Sequence, residues 1–109
     1  MYTVTHKNVE GAFNHLNRKV FGKALDFSSI ELDIDFLDTE WGFCVPEDDG
    51  TIVLGLTNTF PSEIDFLSTL CHEMIHLLQI VKNKPVNHGK FFKDQCSRVY
   101  KKCMLDVSH

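Results

Sequence analysis

The sequence predicts a small α+β domain in which a short antiparallel or mixed sheet packs against one long, buried helix. Three observations carry this reading. The chain has 109 residues, 43% of them hydrophobic, with nine Phe, enough for one self-sufficient core but not for a second lobe. Apolar residues recur at helical spacing near the N-terminus and in the C-terminal half, and at a spacing of two from Ile30 to Phe36, the periods of buried helices and of a half-exposed strand. No repeat, low-complexity tract or linker divides the chain, so residues 1–109 are read as one domain.

The elements follow in the order α-β-β-β-α-α. Val9, Phe13, Leu16 and Val20 mark a helix over residues 9 to 21, with Asn8 as N-cap and Gly22 as stop. Ile30, Leu32, Ile34 and Phe36 alternate with Glu31, Asp33 and Asp35, a strand with an acidic outer face that guards an edge against aggregation. Two apolar runs, Trp41 to Val45 and Thr51 to Leu56, flank Asp49-Gly50 and read as a hairpin, with Trp41 in the core. Ser62 and Asp65 resemble a capping box opening a helix that runs to about Lys82. Its core face is expected at Ile64, Leu67, Leu70, Cys71, Met74, Leu78 and Val81, and Asn83-Lys84-Pro85 ends it. Phe92, Cys96, Val99 and Cys103 mark a last helix.

Composition narrows the function. Eleven basic against fifteen acidic side chains give a net charge of −4, which argues against a general polyanion binder. Residues 23–50 hold nine acids and one Lys, whereas residues 81–109 hold seven basic side chains and two acids, so one end alone is suited to phosphate. Cys44, Cys71, Cys96 and Cys103 include no C-x-x-C pair and read as small buried hydrophobes. The apolar run Leu67 to Val81 is interrupted by His72, Glu73, His76 and Gln79 and falls short of a membrane span. The N-terminus lacks the charged-then-apolar pattern of a signal peptide, so the expected location is intracellular.

The chemistry is concentrated in His72-Glu73-Met74-Ile75-His76, an H-E-x-x-H pattern inside the predicted long helix. Residues four apart lie ~6 Å along a helix and ~40° around it, so both imidazoles can reach one metal ion. Glu73 lies ~100° from His72, close enough to act on a water at the metal without ligating it. A catalytic zinc site normally has three protein ligands. Gln79 and Lys82 stand where a metzincin needs Gly and His, and no Glu follows Glu73 to serve as a gluzincin ligand. His88, Asp94 and His109 remain downstream, with Cys44 upstream. His88 is favoured because it follows the Pro85 turn, twelve residues after His76, and Gly89 lets the backbone fold tightly beside it.

His72-Glu73-Met74-Ile75-His76 followed by His88-Gly89-Lys90-Phe91-Phe92 resembles the SprT-like/Spartan family of zinc metalloproteases. The likeness extends to Phe13-Asn14 and Phe21-Gly22 in the opening helix and covers about residues 8 to 104. It implies a minimal zincin-like fold, with Zn2+ on His72, His76 and His88 and Glu73 as general base. It also implies a protein or peptide substrate, lying against an exposed strand such as Thr51 to Leu56. No second Cys cluster follows, so the C-terminal zinc ribbon of many relatives is not expected. Cleavage of DNA-crosslinked proteins, the activity of Spartan-type members, would draw its DNA contacts from Lys90, Lys93, Arg98, Lys101 and Lys102 or from a partner. The competing reading is a binding module in which zinc only holds the fold.

Overall fold

The computed structural model describes residues 1–108. A two-residue strand, β1 (Tyr2–Thr3), precedes helix α1 (His6–Lys19), and a single 3-10 turn at Phe27–Ser29 leads into strand β2 (Ile30–Asp35). Strands β3 (Gly42–Pro46), β4 (Ile52–Thr57) and β5 (Thr59–Phe60) follow, then helices α2 (Glu63–Val81) and α3 (Lys90–Cys103). The predicted α-β-β-β-α-α order holds, with the β1–β5 ladder added.

The main sheet is mixed, in the order β2-β4-β3. β2 runs parallel to β4, pairing Ile30 with Ile52 through Asp35 with Thr57, and β3 forms the antiparallel hairpin with β4. Sequence explains the placement. Residues 52–57 carry no charge, and Leu54 and Leu56 are fully buried, as a strand paired on both sides requires. β2 points Glu31, Asp33 and Asp35 to solvent from an outer position. The expectation that β4 offers a free edge is therefore corrected: β4 is central, and the edges belong to β2 and β3. Phe36 is 68% exposed and leaves the alternation, because the strand ends where the Asp35 carboxylate accepts from the Phe36 amide (2.8 Å).

Helix α1 buries Val9, Phe13, Leu16 and Val20 as expected. It starts earlier, however: Thr5 is the N-cap and accepts from the Asn8 amide (3.1 Å). Asn17 closes the following turn by bonding both the N–H and the C=O of Leu25. Helix α2 begins at Ser62, whose hydroxyl oxygen accepts from the Asp65 amide, and Glu63 and Asp65 favour the positive end of its dipole. By length and composition α2 could cross a membrane, but two-thirds of that window is buried inside the fold, the signature of a core helix.

The predicted core face of α2 is right along its middle and wrong at its ends. Leu70, Cys71, Met74 and Leu78 are buried, Leu67 is half-buried, and Ile64 and Val81 are exposed. Phe66 takes the place expected of Ile64, stacked on Tyr2 and edge-on to Phe60. Ile75 and Leu77 are also buried, since β3 and β4, α1 and α3 all pack on this helix. Trp41 is 42% exposed rather than a core residue, one edge resting on Phe60. Arg98 ties α3 to the end of α1 through the Val20 carbonyl (2.7 Å). After α3, Met104 takes a left-handed conformation, and the chain turns back to bury Leu105 and Val107.

Candidate metal centre

One turn of α2 and the loop after it bring three imidazoles together. The ring nitrogens of His72, His76 and His88 lie within 4.8 Å of one another. His76 Nε2 and His88 Nε2 are 3.2 Å apart. Tetrahedral zinc with bonds of ~2.0–2.1 Å separates its ligand nitrogens by about 3.3–3.4 Å, so this spacing fits the ion. His72 and His76 are buried in the helix, whereas His88 stands exposed on its loop. The ring of Phe92, 1% exposed, contacts all three imidazoles, with centroids 4.6–5.0 Å away. Burial holds His76 below the usual imidazole pKa, which favours the neutral form that ligates.

The histidines are oriented from outside the cluster. His72 Nδ1 lies 2.7 Å from the Val107 carbonyl, and because a carbonyl only accepts, Nδ1 carries the proton. His76 Nδ1 lies 2.8 Å from Gln79 Oε1. Metal-bound histidines usually give their second N–H to an acceptor of this kind. Glu63, Asp65 and the acidic strand are the carboxylates that the sequence offers for these roles without choosing among them; the acceptors found are a peptide carbonyl and an amide instead. Glu63 and Asp65 sit at the far end of α2, and the acids of β2 face solvent on the opposite edge of the sheet. Gln79 was legible as a polar residue three positions after His76, but nothing in the spacing signalled Val107.

Glu73 is 6% exposed and lines the cleft between α2 and β3. Burial, with a smaller push from the charge of Glu40, raises its carboxyl to about 7. The cleft has two compartments, of about 340 Å³ and 480 Å³, and both are lined by Gly42, His72 and Glu73. Trp41, Glu40 and Thr69 line the first; Cys44, Val45, Val86 and His88 line the second. Thr69 Oγ1 is buried there with no partner among the described residues. Gly42 lets β3 lie this close. A Cβ there would stand 3.0 Å from the Gly55 carbonyl oxygen, 3.1 Å from Thr69 and 3.3 Å from Glu73.

The other candidate ligands fall outside the cluster. Asp94 is exposed and pairs with Lys90 (2.8 Å). The Cys44 thiol sits in the cleft wall, where burial and the Glu73 charge push it up to about 12, and it is not part of the three-histidine group. His109 lies outside the described residues. Of the basic side chains, Lys90 is held by Asp94 and Arg98 by Val20 and Gln95. Lys93 and Lys101 line a groove between α3 and residues 105–108, and Lys102 is exposed at the end of α3. Tyr100 lines that groove and Tyr2 a pocket beside α1, so neither phenol lines the cleft.

The family model described as the SprT-like family matches residues 9–109. Among curated proteins no significant match is found.

Proposed function

The chain belongs to the SprT-like family, a family of zincin-like metalloproteases, and on that premise we propose that it is a zinc-dependent metallopeptidase. His72, His76 and His88 hold the metal and Glu73 serves as general base. The observation that carries this is the 3.2 Å separation of the His76 and His88 nitrogens, with a buried carboxylate lining the same cleft as all three rings. A zinc ion held by these three neutral imidazoles would supply Lewis acidity for the hydrolysis of a peptide bond. Glu73 takes the proton of the attacking water and passes it to the leaving amine. Burial and the Glu40 charge raise this carboxyl, and a cation held beside it would favour the charged form that a general base needs. The free edge of β3 runs along the cleft and suits an extended peptide, which would add to the sheet as a further strand.

Substrates associated with or crosslinked to DNA are the finer form of this reading. Lys93, Lys101 and Lys102 would supply the phosphate contacts, since Lys90 and Arg98 already have protein partners. The four unpaired cysteines suit a reducing intracellular setting.

The test combines metal analysis with proteolysis of an unstructured protein, with and without single-stranded DNA. The parent should carry one zinc per chain, His88→Ala should lose it, and His109→Ala should keep it. Glu73→Gln should retain zinc while hydrolysis falls by at least about 100-fold. A Glu73→Gln protein as active as the parent would remove the base assignment. Loss of zinc in His109→Ala would instead favour a four-ligand structural site.

A further inference from the structure

Gln79 is fully buried, and neither coordination nor proton transfer uses it. Its amide touches both halves of the candidate centre. Oε1 lies 2.8 Å from His76 Nδ1, and Nε2 lies 3.0 Å from the Asn87 carbonyl oxygen. The polarity of this chain is forced. A peptide carbonyl only accepts, so the amide NH2 must face Asn87 and Oε1 must face His76. An oxygen facing His76 requires the proton on Nδ1, which leaves the lone pair on Nε2, the atom 3.2 Å from His88. The same residue also fastens the loop: its backbone carbonyl accepts from the Lys84 amide (2.8 Å). Asn87, which precedes His88, accepts through Oδ1 from the Gly89 amide (2.9 Å). His88 itself is exposed, so its place depends on the residues beside it.

We propose that Gln79 is a positioning residue that sets the tautomer of His76 and fastens the loop carrying His88, so that one buried amide aligns two of the three imidazoles. The effect on metal binding rests on the reading of the three histidines as a metal centre, whereas the effect on the loop does not.

Two variants separate the parts. Gln79→Met is close in volume and removes both hydrogen bonds. Gln79→Glu keeps an acceptor for His76 but has no N–H for Asn87, and it carries the test if the Met variant fails to fold. In metal-free protein, nitrogen NMR should show His76 protonated at Nδ1 in the parent and in Gln79→Glu, but not in Gln79→Met. Amide exchange at Lys84 and Gly89 should quicken at least about tenfold in both variants. With zinc added, competition with a chelator should show Gln79→Met weakening the metal by about 10–100-fold. Unchanged amide exchange in both variants, His76 still protonated at Nδ1 in Gln79→Met, or an unchanged zinc affinity in Gln79→Met, would overturn the proposal. A parent that binds no zinc would overturn the metal-centre reading instead, and the metal-free measurements would still decide whether Gln79 holds the loop and the tautomer.

Discussion

At the scale of single residues, Glu73 is held where its charge is costly. Its carboxyl is raised from 4.5 to about 7, so between those values the folded metal-free chain binds more protons than the unfolded one. Stability then falls as pH rises through that window, and the loss is complete above it. In metal-free protein, Glu73→Gln should therefore be more stable than the parent by about 2–3 kcal/mol near pH 8, with the difference vanishing near pH 4. Urea melts at the two pH values check this. Bound zinc should reverse the order, because a cation beside the carboxylate favours its charge. The cysteines offer a second check. Burial pushes Cys44 and Cys71 up to about 12, while Cys103 is only half-buried. Timed alkylation of native protein should label Cys103 first and leave Cys44 and Cys71 unmodified until the chain unfolds.

At the scale of elements, the cleft depends on how closely β3 approaches both β4 and α2. Gly55 of β4 lies under the Phe43 ring, and a Cβ at Gly55 would fall 2.2 Å from that ring. Gly55→Ala must therefore displace Phe43, which lines the cleft. The expected cost is about 1–3 kcal/mol, measured as a shift in denaturant midpoint. The elements themselves were legible because their periods are local. Val9, Phe13, Leu16 and Val20 announce one helix face, and the acids between Ile30 and Ile34 announce an outer strand. His72 and His76 were legible for the same reason, four residues apart on one helix. The centrality of β4 was not: it follows from the parallel pairing with β2 across more than twenty residues, which no local period encodes. Trp41 misled because bulk and apolarity suggest a core, yet one face of its ring borders the cleft.

For the whole molecule, metal and fold should be linked. The three donors come from α2 and from the loop before α3, so an ion bound there joins two segments that are separate in the unfolded chain. Free zinc at about 1,000 times its dissociation constant would add about 4 kcal/mol, or more than about 10 °C in melting temperature for a domain of this size. Calorimetry with and without a chelator should show that shift in the parent and its loss in His76→Ala. What sequence could not supply was any contact made over a long separation: the Arg98 bond to Val20 and the Val107 carbonyl behind His72. Each joins residues whose proximity only the finished packing decides.

The last of these has a consequence for biosynthesis. His72 takes its orientation from a peptide carbonyl 35 residues further along, beyond every helix and strand of the domain. A nascent polypeptide can present both histidines of α2 well before that carbonyl leaves the ribosome. Alignment of His72 thus waits until Val107 has emerged and packed, after both α2 and α3 have been made.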